Sequence, residues 1–386
     1  MDARDFIQPA GTFLRRTSSL TGKDYAAYLP NELPPPETTS AISECVMLLA
    51  EATHAVGHLD GIGRFMPNPH LLVEPYMRRE AVLSSRIEGL HTTHAELATL
   101  EAMGELSQRA DARDVHNYVV ALDYGLRHVI ENGLTRQLVE RIHSKLMQGA
   151  RGEAFSSPGE FRNIQNHIGN TRDHAEARFV PPPPLEMQST LDAFFEYLRT
   201  GPSTPPLVEA AWAHYQFETI HPFLDGNGRV GRALIPLLLA WRRQLEHPLL
   251  YLSPYFERNR AEYYDRLFAV SARSEWSQWL KYFLIGVRDQ ADEAASLARA
   301  IVELGEAWTA RLAALRATQN AHRLAQHVLQ FVAIDAKGAG RVLGVAPQTA
   351  YKSIEALVTA GILEEVTGRP WGRVFLSPEL REMLDA

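Results

Sequence analysis

The segment His221-Pro222-Phe223-Leu224-Asp225-Gly226-Asn227-Gly228-Arg229-Val230-Gly231-Arg232 constrains this chain more than any other. Apolar residues recur at three- and four-residue spacings before it, over Leu207–Thr219, and after it, over Val230–Leu245, which is the period of an amphipathic helix. The chain must therefore turn between two helices here. Pro222 disfavours helical backbone at the preceding residue, so the first helix ends at His221 and presents the imidazole at its exit. Gly226 and Gly228 permit positive φ, and backbone N–H groups turned inward around Asn227 would make a concave anion site at the start of the second helix. Arg229 and Arg232 share a helix face and lean toward that end, where phosphates would lie.

Chemistry follows from these residue types. His221, with an ordinary pKa of about 6.5, is a general-base candidate. Gly226, Asn227, Gly228, Arg229, Gly231 and Arg232 are the phosphate- and nucleotide-binding candidates, and Asp225 is a hard oxygen ligand for Mg²⁺, an ion that needs few protein ligands beside phosphate oxygens. The set suits phosphoryl or nucleotidyl transfer and contains no nucleophile of its own. Two other readings fit less of it. Asp225-Gly226 and Asn227-Gly228 are hairpin-turn signals, but hairpins need alternating strands on both sides and helical patterns stand there instead. Gly226 to Gly231 also matches G-x-G-x-x-G, with Glu246 at the ribose-carboxylate distance, yet a His-Pro break replaces the apolar strand that a dinucleotide site requires.

The rest of the chain reads as mainly α. At 386 residues it is too long for one ordinary core. Further helical patterns cover Ala41–Leu59, Pro75–Ile87, Val115–Ile130, Leu134–Met147, Leu185–Leu198, Arg260–Arg273 and Ser277–Val287, with a connecting helix over Gln290–Arg316. Thr12–Thr39, with its Pro34–Pro36 run, reads as an irregular arm, and Phe161–Val180 as a short hairpin. After His322 the order helix, short helix, turn, helix, strand, strand resembles a winged helix. The expected layout is an N-terminal region 1–110, a core 111–290, the connecting helix 291–321 and a terminal unit 322–386.

Charge and cysteine content narrow the setting. Lys and Arg total 39 against 46 Asp and Glu, a net charge of −7, the wrong sign for a chain wholly devoted to nucleic acid. Cys45 is the one cysteine, so neither a disulfide nor a thiolate cluster is available within the chain. Met1–Phe13 lacks a secretory pattern, and the longest apolar stretch, Ala233–Trp241, falls far short of the ~20 residues that cross a bilayer. A cytoplasmic, membrane-free protein is expected.

With the motif laid out, the sequence resembles the Fic family, whose core motif His-Pro-Phe-x-(Asp/Glu)-Gly-Asn-Gly-Arg-x-x-Arg is matched at every fixed position from His221 to Arg232. The resemblance implies a Fic-type helical bundle that transfers AMP from ATP to a hydroxyl of a target protein, or of the chain itself, with His221 taking the proton and pyrophosphate leaving. It also implies a core-anchor role for Phe223 and an α-phosphate contact for Asn227. Phe161-Arg162, Gln165-Asn166, Ile168-Gly169 and Phe179-Val180-Pro181-Pro182 resemble the family's flap, a hairpin that holds the target segment by strand pairing, with Gln165, Asn166, Ile168, Gly169, Phe179 and Val180 as its docking residues. His167 lies at a variable flap position.

Pro75 suits the first turn of a helix that runs to Ile87 and ends at Gly89, so Glu88 sits at a C-terminus, where the macrodipole disfavours a carboxylate and a cationic partner is needed. Ser84-x-x-x-Glu88-Gly89 resembles the family's inhibitory motif, in which the glutamate pairs with the second motif arginine, here Arg232. The alternative is that Ser85-x-x-Glu88 is a capping box opening a new helix. In the terminal unit, Gln348, Thr349, Tyr351 and Lys352 would face DNA with Arg369 and Arg373 in the wing, but six basic and six acidic residues from Lys337 onward cancel, which equally fits a protein contact or a homo-oligomer.

Overall fold

The computed structural model describes residues 5–385 apart from Ser19, Pro67, Asn170 and Pro202. The helix Pro206–Ile220 is buried on nearly every side, its stretch Leu207–Phe217 being apolar or internally bonded, and it forms the axis of the molecule. The helix Asn227–Trp241 packs along it and against Ala110–Asn132, which in turn packs on Arg136–Met147. Close approach is built in: a Cβ at Gly125 would come within 2.9 Å of Leu237. The helix His70–Ile87 lies against Ala110–Asn132 and Asn227–Trp241, which brings its C-terminal end to the motif.

Four elements depart from the sequence reading. Residues of the expected irregular arm form a hairpin, Gly11–Thr17 antiparallel to Asp24–Pro30, closed by the Lys23 carbonyl accepting from Ser18 N–H and by Gly22 at φ +71°. Its Tyr28 ring packs on Phe6, Phe13 and Phe179 and is fully buried, so long-range aromatic contacts make a strand of a segment with weak local signals. The helix expected to open at Pro75 begins a turn earlier, at His70, and holds Pro75 inside it. The two helical patterns on either side of Arg288-Asp289 are one 39-residue helix, Trp276–Ala314, because that link contains neither glycine nor proline to stop it. The flap hairpin is reduced to a single antiparallel bridge, Ile168 to Phe179.

The C-terminal part has helices Gln319–Phe331, Ala336–Leu343 and Pro347–Thr359 and a three-stranded antiparallel sheet in which Val374–Leu376 lies between Ala333–Asp335 and Glu364–Glu365. A last helix, Pro378–Asp385, closes it. Buried apolar residues from Ala10 to Leu384 belong to one contiguous core, and a smaller aromatic cluster joins the N-terminal hairpin to the flap. Among the described residues no helix is long and apolar enough to cross a membrane.

Candidate active site

The axial helix stops where Pro222 requires. His221 takes a left-handed conformation, φ +50° and ψ 60°, which is uncommon for a residue with a Cβ. Its Nδ1 lies 3.2 Å from the Glu218 carbonyl, which can only accept, so Nδ1 carries the proton and Nε2 keeps its lone pair. Burial pushes the imidazole down to about 4, helped by the Arg162 guanidinium, so at neutral pH the ring is uncharged and able to accept a proton. Arg162, 2% exposed, donates from Nε to the His221 carbonyl at 2.9 Å and from Nη2 to the Pro182 carbonyl at 2.5 Å, and thereby splints the strained exit.

The loop after His221 is pinned from within. Phe223 is fully buried, and Asn227 accepts from Phe223 N–H at Oδ1 and donates to the Phe223 carbonyl from Nδ2, each at 2.8 Å. Both amide atoms of Asn227 therefore help to shape the loop. Asn166 adds a bond to the same carbonyl at 2.9 Å. Gly226 has φ +79°, as a left-handed N-cap requires. Gly228 and Gly231 are glycine for room rather than for positive φ. A Cβ at Gly228 would stand 2.3 Å from Glu88 Oε1, and one at Gly231 would stand 2.2 Å from Glu218 Oε1, so each glycine leaves room for a neighbouring carboxyl.

The two motif arginines differ in their partners. Arg229 is 4% exposed, touches Met147 Sδ at 3.6 Å through Nη2, and has no protein partner for Nε or Nη1. Arg232 is 2% exposed and engaged through two of its nitrogens: Nε donates to Ser84 Oγ at 2.8 Å, and Nη2 donates to the Ser84 carbonyl at 2.9 Å and to Glu88 Oε1 at 2.7 Å. Glu88 is the C-cap of its helix. Gly89, at φ +81°, donates to the Arg86 carbonyl and Leu90 to the Ser85 carbonyl, the Schellman pattern that ends a helix. The capping-box alternative fails, because the next helix, His94–Met103, starts later and is capped by Thr93 Oγ1 accepting from Glu96 N–H. Burial works against a charged Glu88, but the Arg232 guanidinium outweighs it and holds the carboxyl below its ordinary range. Burial likewise disfavours the cation, yet Glu88 holds Arg232 more firmly charged.

Some of these groups face a cavity of about 460 Å³, whose lining does not include Arg229 or Asn227. His221, Gly228, Arg232 and Glu88 form one wall, and the flap residues Ile168, Gly169 and Phe179 form another. The remaining flap candidates do other work: Gln165 donates to the Pro181 carbonyl, and the Val180 carbonyl accepts from Tyr28 N–H of the N-terminal hairpin. Glu218, also lining the cavity, has its carboxyl raised to about 7 by burial and by Glu88, against the pull of Arg232. The sequence pattern placed Arg162 with the flap and did not mark it as a partner of His221, and it did not mark Glu218 at all, because both roles depend on contacts made only in the folded chain. Glu246 lies away from the motif, paired with Arg64.

Asp225 is exposed, and its Oδ1 accepts from Gly226 N–H at 2.6 Å. Among the described residues no group of three or more His, Cys, Asp or Glu could hold a metal alone. A single exposed carboxylate beside an anion nest fits Mg²⁺ held jointly with phosphate oxygens, and does not fit an all-protein cage.

A mainly helical fold carrying this helix-exit histidine and anion loop defines a class, and the comparisons agree with it. Residues 46–127 match the Fic/DOC family N-terminal region and residues 133–239 the Fic/DOC family domain, and the chain belongs to the Fic/DOC family. It is similar to Protein adenylyltransferase Fic of Drosophila persimilis, 30% identical over 158 residues, covering 39% of this chain and 29% of that protein. The same protein of Drosophila willistoni is also 30% identical over 158 residues, covering 39% of this chain and 30% of the relative. The chain thus spans under a third of the length of these curated relatives. Among solved structures, a Fic family protein from Desulfovibrio desulfuricans G20 superposes with a TM-score of 0.53 at 19% identity, covering 87% of this chain and 96% of that one. Fic-1 from C. elegans superposes at 0.51 and 20% identity, covering 69% and 76%. These last two are likenesses of fold.

Proposed function

We propose that this chain is an autoinhibited protein adenylyltransferase that moves AMP from ATP to a hydroxyl side chain of a target protein, or of itself. The target hydroxyl oxygen attacks the α-phosphorus, His221 Nε2 accepts the hydroxyl proton, and the bond to pyrophosphate breaks as pyrophosphate leaves. The main-chain N–H groups of Asn227 and Gly228 and the Arg229 guanidinium receive the phosphates, and Asp225 would hold Mg²⁺, which supplies charge neutralisation on the polyphosphate. Ile168, Gly169 and Phe179 hold the target segment against His221.

The observation that carries the reading is the Arg232–Glu88 pair beside an uncharged His221. Glu88 occupies the guanidinium that a γ-phosphate would need, so the site is assembled and withheld at once. The same glutamate offers a carboxylate for a separate hydrolytic reaction, in which water displaces AMP from the modified hydroxyl, and this is kept as a second activity of the site. In the terminal unit, the helix–strand–helix–helix–strand–strand order supports a winged-helix module and a rival reading as a DNA-binding regulator that senses nucleotide. A cytoplasmic setting accords with the lone Cys45.

ATP labelled on the α-phosphate tests the main reading. Label should reach protein weakly with the natural chain, at least ~10-fold more with Glu88→Gly, and not at all with His221→Ala in that background. Label from the γ-phosphate, or none with a folded Glu88→Gly protein, would overturn it. A salt-dependent gel shift without transfer would favour the regulator.

A further inference from the structure

His143 is wholly buried on the helix Arg136–Met147 and points at the motif loop. Its Nδ1 accepts from Gly159 N–H at 2.9 Å, so that nitrogen has a lone pair and Nε2 carries the proton. Nε2 then donates to the Asp225 carbonyl at 3.0 Å. The ring also stacks on Phe223, centroids 3.7 Å apart and planes 9° from parallel.

The Asp225–Gly226 peptide connects this imidazole to the site. Its C=O is held by His143, and its N–H is the group that Asp225 Oδ1 accepts from at 2.6 Å. An Asp-Gly peptide preceding a left-handed residue can rotate with little resistance, and rotation would remove the N–H from the carboxylate. We propose that His143 is a positioning residue: by anchoring the Asp225–Gly226 peptide it aims the Asp225 carboxylate at the cation that accompanies the nucleotide. This rests on the reading of Asp225 as the Mg²⁺ ligand. Outer-shell bonds of this kind typically change metal affinity 10- to 100-fold.

The test is ATP binding measured by calorimetry against Mg²⁺ concentration in the Glu88→Gly background, where Arg232 is free. His143→Phe keeps a ring on Phe223 but makes neither hydrogen bond, and should raise the half-maximal Mg²⁺ concentration at least ~10-fold while ATP binding in chelator is unchanged. His143→Gln places an amide N–H at the Nε2 position and should return the midpoint to within ~3-fold of the parent. If the Phe variant does not fold, His143→Asn, which satisfies Gly159 but falls short of Asp225, should show the same rise. An unmoved midpoint, or a Gln variant as poor as a folded Phe variant, would overturn the positioning role. A parent chain that binds ATP without any Mg²⁺ dependence would instead remove the Asp225 assignment, and the inference with it.

Discussion

At His221 two requirements meet in one residue. An imidazole can serve as the proposed base only in its neutral form, and one exposed to water would be partly protonated near neutrality. Here the ring is uncharged because burial and Arg162 lower its pKa to about 4. The sign is definite: the acid form appears only as pH falls through the lowered pKa, so base function persists well below neutrality and is lost near pH 4. Titrating the His221 ring by NMR should give a midpoint near 4, and a midpoint of about 6.5 would mean that the ring is solvated. The residue pattern conveyed part of this. Pro222 announced the helix exit, but nothing near it announced Arg162, which reaches His221 from 59 positions away. Asn227 shows the opposite failure. Its place in the motif was legible, while its engagement with the Phe223 backbone was not, because a side-chain amide serves a loop and a phosphate equally well.

At the scale of elements, the helix His70–Ile87 delivers a carboxylate to a guanidinium 144 positions later in the chain. Its Schellman end fixes where Glu88 points, so the pairing is set by helix termination rather than by a flexible loop. Removing Glu88 leaves a buried cation whose remaining hydrogen-bond partner among the described residues is Ser84. Loss of one member of a buried pair costs up to ~3–5 kcal/mol, and less here because Glu88 is 35% exposed and water can replace it. Glu88→Gly should therefore unfold a few degrees below the natural chain without ligand. Mg²⁺-ATP should then stabilise it more than it stabilises the natural chain, since a ligand at ~100 times its Kd adds about 2.7 kcal/mol and the natural chain must first give up an ion pair. Equal ATP-induced shifts in the two melting curves would show that Glu88 does not compete with nucleotide.

The same scale shows what local pattern can and cannot supply. Helices with strong 3.6-residue periodicity, such as the one expected over Leu134–Met147 and found at Arg136–Met147, were legible to within a few residues. The N-terminal hairpin was not, since its strands are fixed by Tyr28 and Phe6 packing on Phe179 and Phe268 in distant segments. The flap was over-read for the converse reason: β-prone residues at its ends pair only once, and the Val180 carbonyl is taken by the other hairpin.

For the molecule as a whole, the question is whether the C-terminal unit is an appendage or part of the core. Arg369 gives a first indication, because its charge is paired with Glu105 at 3.0 Å rather than left for a polyanion, whereas Arg373 donates to the neutral Tyr351 Oη at 3.3 Å. The packing points the same way. Arg78, on the helix that ends at Glu88, lies 5.1 Å over the Phe331 ring, and His94 bonds Asp385 at 2.8 Å. Trp308, late in the long helix, is wholly buried and donates to Glu379 at 2.9 Å, while Arg311 grips the same carboxylate. A unit attached through a shared core should not melt by itself. Calorimetry should thus record one unfolding transition, and Trp308→Ala, at a cost of about 3–5 kcal/mol, should lower that single transition instead of splitting off a second. Two resolved transitions in the natural chain would make the C-terminal unit autonomous, and would remove the mechanical route by which an occupant of that unit could act on the helix bearing Glu88.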